Sequence, residues 1–270
     1  MPSEFAYKRT WGPKPKYPLV ERYVPPKKDF VSIAGPCSVE NVDMINKIAA
    51  HVSLRGATHL RGGCFRAGTY PSGDFGWIKE SLLSAYYWAA QNNKLENIIE
   101  ILDYRDIPLM KQFCTCFQVG ARQMQNYTLL KELGKSGKPI FLKRNMGATL
   151  DEWLGSAEWL LHHGCEELYL IERGSSTHLD HVRWDLSLSL IPSIKEISHI
   201  PIIVDPSHGT GRRDIVMRMA FAGVAAGAKG ILLETHMDPD KSLSDPDQTI
   251  SLDDYSHIIN KINKLREFLK

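Results

Sequence analysis

Eight short apolar runs are spaced along this chain, and each of them ends in polar or charged residues. The runs cover residues 31–34, 57–60, 98–102, 117–119, 140–142, 168–171, 202–204 and 231–233. Runs this short are typical of parallel strands that are buried on both faces, and segments of helical length separate them. The pattern therefore predicts a strand followed by a helix eight times over, which is the α/β architecture of a (β/α)8 TIM barrel.

The length of the chain fits one such barrel and leaves a short N-terminal segment over. Of the 270 residues, a barrel takes typically about 250, so we assign residues 30–270 to a single catalytic barrel domain. Residues 1–29 are rich in Pro, Lys and aromatic side chains and show no periodicity. They are interpreted as an N-terminal arm that packs on the barrel or on a neighbouring subunit, with a disordered tail as the alternative.

Local signals place two helices and one long loop. Thr149 followed by Glu152 forms a capping-box pattern ahead of an apolar-periodic stretch through Leu161, and Gly164 lies where a helix would end. Ser251 opens the last helix in a similar way. The acidic loop between strand eight and that helix, residues 236–250, is long, and long loops on barrels are usually functional.

Composition narrows the class of protein. A formal net charge of +2 argues against nucleic-acid binding, and no apolar stretch approaches the roughly 20 residues of a membrane span. The first residues lack the apolar region of a signal peptide. Five cysteines are too few and too irregular for a disulfide framework. We therefore expect a cytoplasmic protein with no membrane or nucleic-acid partner.

Possible metal ligands follow three strands that become neighbours when a barrel closes. Cys37, His208 and Glu234 lie at the ends of strands one, seven and eight, and Asp245 in the loop after strand eight can reach the same point. A set of thiolate, imidazole and carboxylate suits Mn²⁺, Fe²⁺, Co²⁺ or Zn²⁺ better than Mg²⁺ or Ca²⁺. The convergence of three strand ends favours one divalent ion over a buried thiol and a core histidine.

Cations end four other strands. Arg61, Arg122, Lys143 and Arg173 follow strands two, four, five and six. Like charges directed into one cavity are unfavourable unless an anion binds there, and Arg and Lys are the usual ligands of phosphate and carboxylate. The pattern predicts a small substrate with at least two anionic groups.

These residues, taken in order, resemble the phosphoenolpyruvate-condensing sugar synthases, in particular the 3-deoxy-D-arabino-heptulosonate 7-phosphate (DAHP) synthases of the type shared with the 3-deoxy-octulosonate 8-phosphate synthases. The matching strings are AGPCSVE (34–40), LRGG (60–63), GARQMQN (120–126), LKR (142–144), TLDEW (149–153), ERG (172–174), VDPSHGTGRRD (204–214) and ETHMDPDKSLSDPDQ (234–248). Several are long and distinctive, and together they span most of the predicted barrel.

The resemblance implies a reaction and a role for each position. The metal would be held by Cys37, His208, Glu234 and Asp245 and would polarise the aldehyde of an acceptor sugar phosphate. Substrate binding would fall to Arg61, Arg66, Thr69, Arg122, Lys143 and Arg173, and the candidate catalytic residues are Arg66, Lys143, Cys37 and His208. With erythrose 4-phosphate as acceptor, the product would be DAHP of the shikimate pathway to aromatic amino acids. A homo-oligomer, dimer or tetramer, is also expected.

One loop departs from the family pattern. After LRGG-x-F the DAHP synthases have K-P-R-T-(S/T), whose Arg-Thr binds the acceptor phosphate, whereas this chain has Arg66, Ala67, Gly68 and Thr69. The positions expected to bind phosphoenolpyruvate therefore match the family, while the loop expected to bind the acceptor differs.

Three alternatives remain open from sequence. The first is a related enzyme of a secondary pathway that uses a different aldehyde. The second is a non-catalytic binding or regulatory homologue, which the matching metal and phosphoenolpyruvate positions disfavour. The third is a metal-dependent hydrolase, which lacks support because no H-x-H follows the first strand.

Overall fold

A computed structural model describes residues 17–26, 30–64 and 80–269, and it confirms the predicted barrel. Eight parallel strands are hydrogen-bonded in chain order, and the eighth pairs with the first to close the sheet. The strands are β1 (Val31–Gly35), β2 (His59–Arg61), β3 (Glu96–Glu100), β4 (Cys116–Val119), β5 (Ile140–Lys143), β6 (Leu168–Glu172), β7 (Ile202–Val204) and β8 (Gly230–His236). A short strand β9 (Ile250–Ser251) pairs with the end of β8.

Strand β3 is displaced from its predicted run and ends two residues before that run does. The physical reason is a turn. The side chain of Asp103 accepts a hydrogen bond from the backbone N–H of Arg105 at 2.9 Å and caps a short 3₁₀ helix, Tyr104–Asp106. The chain therefore leaves the sheet before its apolar residues end.

Helices surround the barrel. They are α1 (Pro18–Glu21), α2 (Val42–Leu54), α3 (Glu80–Asn92), α4 (Ile107–Met110), α5 (Tyr127–Gly134), α6 (Leu150–His162), α7 (Leu190–Lys195), α8 (Pro206–Thr210), α9 (Arg213–Ala225) and α10 (Leu252–Phe268). Both predicted capping boxes are present, at Thr149 before α6 and at Ser251 before α10. Each box satisfies backbone N–H groups that the first helical turn leaves unpaired.

The barrel interior has two layers of different chemistry. Its lower layer is a separate apolar cluster formed by Val31, Ile33, Ile98, Cys116, Phe141, Tyr169, Ile171, Ile203 and Leu232. Phe141 stacks on Tyr169 with ring centroids 4.5 Å apart. Side chains two positions further along a strand point the same way, so the residues above this layer also face the axis. The apolar layer thus forms a floor beneath the C-terminal strand ends.

Part of the N-terminal arm packs along α6. The Tyr17 hydroxyl donates to the Asp151 carbonyl at 2.7 Å, and the Glu158 carboxylate accepts from the backbone N–H groups of Leu19 and Val20. The structure thus places residues 17–26 beside the barrel, while residues 1–16 and 27–29 of the predicted arm lie outside the described residues. Among the helices described, none has the length and apolar character needed to cross a membrane.

Candidate functional site

Strand alternation brings the chemically active side chains together above the apolar floor. A cavity of about 220 Å³ opens there. The described residues that line it include Cys37, Arg61, Glu100, Gln118, Arg122, Lys143, Arg173, Arg183, Trp184, His208 and Asp245. This is the C-terminal face of the barrel, where barrel enzymes have their active sites. We call this cavity the mouth of the barrel.

Four potential metal donors form one side of the mouth, and we call Cys37, His208, Glu234 and Asp245 the donor wall. One ligand atom from each of Cys37, Glu234 and Asp245 lies within 4.8 Å of the other two. The Cys37 thiol contacts an Asp245 carboxylate oxygen at 3.0 Å. His208 is outside that group of three, but its Nε2 lies 3.3 Å from Glu234 Oε1. The four predicted ligands are therefore adjacent.

Gly35 allows the end of β1 to approach β2. Its φ is +145°, and a Cβ there would lie 2.1 Å from the Arg61 carbonyl oxygen. Only glycine accommodates both this conformation and this proximity. The close approach places Cys37, two residues further on, in the same cavity as Arg61.

Glu234 is fully buried and is surrounded by groups that stabilise its negative charge. Burial raises the pKa of this carboxyl, but His208, Arg61 and Gln248 outweigh burial and hold the pKa at about 2. Arg61 forms a salt bridge with Glu234 Oε1, and the Gln248 amide donates to Oε2. Burial lowers the pKa of Arg61, but the negative charge of Glu234 raises it overall. Glu234 and Arg61 are therefore both charged.

Asp205 joins the donor wall to the cations. One carboxylate oxygen of this fully buried residue lies 2.8 Å from His208 Nδ1 and 3.0 Å from Lys143 Nζ. The other oxygen accepts from the His208 backbone N–H and caps α8. Burial raises the pKa of Asp205, but His208 and Lys143 lower it well below the usual range. This geometry fixes the ring of His208 with Nε2 beside Glu234.

Three cations also line the mouth, and we call Arg122, Lys143 and Arg173 the cation wall. Lys143 is paired with Asp205, but no carboxylate of the described residues lies within salt-bridge distance of Arg122 or Arg173. The pKa of Arg173 is lowered to about 10, chiefly by burial; Asp205 opposes this shift, and the positive charges of Arg183 and Arg122 add to it. The Arg173 Nη1 atom is buried and has no hydrogen-bond partner within the described part of the chain. An anion in the mouth would satisfy it.

The structure thus divides the four predicted strand-end cations into two kinds. Arg61 and Lys143 have buried carboxylate partners, Glu234 and Asp205, whereas Arg122 and Arg173 have none in the described part of the chain. The predicted substrate residues Arg66 and Thr69 lie outside the described residues, as do Ala67 and Gly68 of the same loop.

Sequence reasoning did not single out four residues of this site. Glu100 lines the mouth and accepts from the Gln118 amide at 3.1 Å. Both face the axis two positions above members of the apolar floor, Ile98 and Cys116, and strand alternation was the signal that could have found them. Gln248 and Trp184 lie on loops, whose course back to the mouth depends on tertiary contacts.

Comparisons with known proteins agree with this geometry. The sequence model of the DAHP synthetase I family matches residues 26–270. A phospho-2-dehydro-3-deoxyheptonate aldolase of Thermotoga maritima is 38% identical over 240 residues, which are 89% of this chain and 71% of that protein. A 2-dehydro-3-deoxyphosphooctonate aldolase of Desulfotalea psychrophila is 25% identical over 262 residues, covering 87% and 89% of the two chains.

Two solved structures of the Thermotoga maritima enzyme share the fold. A truncated form of its 3-deoxy-D-arabino-heptulosonate 7-phosphate synthase aligns with a TM-score of 0.82 at 37% identity, covering 89% of this chain and 87% of that one. The crystal structure of its phospho-2-dehydro-3-deoxyheptonate aldolase gives a TM-score of 0.85 at 38% identity and covers 89% and 70%. The family model and this identity lead to one conclusion: the chain belongs to the DAHP synthetase I family.

Proposed function

We propose that this protein condenses phosphoenolpyruvate with an aldehyde, erythrose 4-phosphate being the leading acceptor, and releases inorganic phosphate. The product would then be DAHP, in the shikimate pathway to aromatic amino acids. The observation that supports this function is that Cys37, His208 and Asp245 of the donor wall line the same cavity as the cation wall, with Glu234 beside His208. A non-catalytic homologue would have no need of both walls.

The donor wall fits one divalent metal ion. Its thiolate, imidazole and two carboxylates are the mixed donor set of Mn²⁺, Fe²⁺, Co²⁺ or Zn²⁺. The carboxylate of Asp205 beside His208 Nδ1 is the arrangement that commonly orients a histidine ligand through its second nitrogen. When bound by Cys37, His208, Glu234 and Asp245, the ion would supply Lewis acidity at the acceptor's aldehyde oxygen.

The cation wall fits the phosphate and the carboxylate of phosphoenolpyruvate. Arg122 and Arg173 would bind these groups with guanidinium donors that no described carboxylate engages, and Lys143 would add a third cation. In the reaction, C3 of phosphoenolpyruvate forms a bond to the aldehyde carbon, and the aldehyde oxygen takes up a proton. Water adds at C2, and the C2–O bond to phosphate breaks.

The chain's own residues then have distinct proposed roles. We assign Lys143, Cys37 and His208 to the catalytic centre, together with Arg66 in the acceptor loop. Arg61 would act mainly by balancing the charge of Glu234, because the two form a buried salt bridge.

Phosphate release from phosphoenolpyruvate is the assay that tests this function. Purified protein should release phosphate with an aldehyde and a divalent ion, and exhaustive chelation should abolish turnover until metal is restored. Cys37→Ala should remain inactive after metal is added. Cys165 lies just before the start of β6, at the end of the barrel away from the mouth, where its thiol contacts the Glu167 carbonyl. Cys165→Ala should therefore behave as wild type. Turnover by chelated Cys37→Ala would refute the metal role, and no release with any aldehyde would refute the function.

A second candidate function differs only in the acceptor. Gly68 stands where the family pattern has the arginine that binds the acceptor phosphate, and loss of a charge-assisted contact costs about 1.5–3 kcal/mol. An aldehyde without that phosphate, or of another size, would then be preferred. A panel of aldehydes separates the two: Gly68→Arg should lower the KM for erythrose 4-phosphate, and low-micromolar use of that substrate by the unmodified protein would favour the first candidate.

We also propose that the protein works in the cytoplasm as a homo-oligomer. None of its five cysteines, all within the described residues, forms a disulfide, which is the usual state in a reducing compartment. Light scattering on the purified protein would test the oligomer: a dimer or tetramer is expected, and a monomer at micromolar concentration would exclude it.

A further inference from the structure

Arg173 is held in an unusual way for a buried cation. The residue is 5% exposed, yet its only hydrogen bond among the described residues runs from Nη2 to the His208 carbonyl at 3.5 Å, the limit of such a bond. No described carboxylate forms a salt bridge with it, and Nη1 has no partner. Buried guanidinium groups are normally fixed by acceptors, so another contact must set the position of this one.

The contact is the indole ring of Trp184. The guanidinium carbon of Arg173 lies 5.4 Å from the centre of that ring, within the range of a cation–π interaction. Both residues line the mouth of the barrel. The indole Nε1 is also buried and has no hydrogen-bond partner among the described residues. Two neighbouring residues that line the same cavity therefore each have a buried polar atom that the described part of the chain leaves unsatisfied.

The backbone around Trp184 fixes the ring in place. Ser175 and Asp185 form an antiparallel bridge with hydrogen bonds of 2.9 and 3.0 Å, which brings residue 184 back to the strand end. The Trp184 backbone N–H donates to the Gly209 carbonyl at 3.2 Å. Gly174 has φ +91°, and a Cβ there would lie 2.6 Å from the Trp184 Cβ. The absence of a side chain at Gly174 thus lets Trp184 pack directly behind Arg173.

We infer that Trp184 is a positioning residue of the anion site, whose ring holds Arg173 through a cation–π contact and so leaves its N–H donors for the phosphate or carboxylate of phosphoenolpyruvate. A carboxylate partner would fix Arg173 equally well but would compete with the substrate for the same donors. A cation–π contact brings no competing oxygen acceptor to the guanidinium N–H groups, whereas a carboxylate partner does. This inference rests on the proposed function, because it takes phosphoenolpyruvate as the anion.

Substitutions at Trp184 separate the ring from the volume it fills. Trp184→Leu keeps an apolar side chain but removes the π face, and it should raise the KM for phosphoenolpyruvate about five- to thirtyfold, the range of a partly to fully desolvated cation–π contact. The value of kcat at saturating substrate should stay within about twofold, because the contact is made equally in the ground and transition states. Trp184→Phe retains a face and should restore the KM to within about threefold.

A double-mutant cycle shows whether Trp184 acts through Arg173. Trp184→Leu should change the KM for phosphoenolpyruvate in the wild-type background but by less than about twofold in an Arg173→Ala background. Trp88→Leu is the matched control, because Trp88 lies on α3, is 57% exposed and is not among the residues of the mouth. It should leave the KM unchanged.

The outcomes distinguish this inference from the proposed function. If Arg173→Ala leaves the KM for phosphoenolpyruvate unaltered, the proposed role of Arg173 fails. If Arg173→Ala raises it but Trp184→Leu has equal effects in both backgrounds, or lowers only kcat or thermal stability, Trp184 has a merely structural role and the inference alone is overturned. Equal losses in Trp184→Phe and Trp184→Leu would also overturn it, since Phe keeps the π face.

Discussion

The two walls of the barrel mouth differ in how their charges are balanced. On the donor wall, Glu234 is paired with Arg61 and lies beside His208. On the cation wall, Arg122 and Arg173 have no carboxylate partner among the described residues, and burial lowers the pKa of Arg173. One wall is therefore electrostatically complete in the folded chain, whereas the other is completed only by an anionic ligand.

This difference separates two contributions that a single active site makes to a protein. Each member of a buried ion pair offsets the desolvation of the other, and removing one partner leaves the other as an uncompensated buried charge. Unpaired cations are unfavourable in the free protein, and their desolvation is offset when substrate binds. Substitutions that break a buried pair, Glu234 with Arg61 or Asp205 with Lys143, should therefore change stability as well as function. Substitutions at the unpaired cations Arg122 and Arg173 should change binding alone.

The largest effect is expected from Glu234→Gln. The substitution keeps the shape of the side chain but leaves Arg61, which is 8% exposed, without its carboxylate. Breaking a buried pair in this way costs about 3–5 kcal/mol. Urea unfolding in the presence of a chelator, which removes any stabilisation by bound metal, should show that loss. The control is Arg122→Gln on the cation wall, expected within about 0.5 kcal/mol of wild type; equal losses in the two variants would contradict the comparison.

Acid should destabilise the protein through the donor wall. The folded pKa of Glu234, about 2, lies below the ordinary value of 4.5, and that of Asp205 is lowered as well. A lowered carboxyl pKa contributes stability above the unfolded value, and this contribution is lost as the pH falls from 4.5 toward 2. The cation wall adds nothing in this window, because the pKa of Arg173 stays near 10.

Urea midpoints measured between pH 7 and pH 3 would test the acid dependence. Wild type should lose stability below about pH 4.5, and Glu234→Gln should show a shallower decline because one of the titrating carboxyls is gone. Parallel declines in the two proteins would contradict this prediction, because they would show that groups other than Glu234 cause the loss of stability in this pH range.

On the cation wall, Arg122→Ala should impair binding without impairing folding. Arg122 is exposed and forms no salt bridge with a described carboxylate. Removing a charge-assisted contact costs about 1.5–3 kcal/mol, which is a rise of roughly 10- to 150-fold in the KM for phosphoenolpyruvate. The same factor should appear with every aldehyde, while the urea midpoint stays unchanged. A matching loss of stability would show that this wall is also part of the folded-state charge balance.

The sequence predicted which residues lie at the strand ends better than it predicted which of their side chains pair. Buried parallel strands have apolar runs that end abruptly, so the positions of Cys37, Lys143 and Glu234 at strand ends could be read directly. The pairing of Arg61 with Glu234 could not, because it depends on side-chain directions across the closed barrel. Trp184 was also missed, since its return to the mouth depends on the bridge between Ser175 and Asp185.

The loop after β8 shows the same limit more sharply. Its length and its acidic residues indicated that Asp245 could reach the donor wall, and the structure brings it there with a φ of +50°, a conformation that Asp tolerates better than most residues. The pattern gave no sign that Gln248, three residues later, turns inward to the carboxylate of Glu234. Turn geometry of this kind is not visible in the spacing of polar residues.

The smallest of these effects is expected from Gln248→Leu, which probes how the donor wall is held rather than how it is charged. Gln248 is 2% exposed, its amide N–H donates to Glu234 Oε2, and its carbonyl oxygen accepts from Arg183 at 3.4 Å. Groups that orient a metal ligand in this way are commonly worth about 10- to 100-fold in metal affinity. Because Arg61 stays paired with Glu234, the loss of stability should be smaller than in Glu234→Gln. Competition with a chromophoric chelator, without substrate, measures the affinity directly.

Gln248→Glu should weaken metal binding at least as much if the ion is held by Glu234, since it removes the amide donor and places a second carboxylate beside that of Glu234. If both variants bind the ion as tightly as wild type while Glu234→Gln does not, then Arg61 and His208 suffice to hold Glu234. The hydrogen bond from Gln248 would then contribute nothing to metal binding.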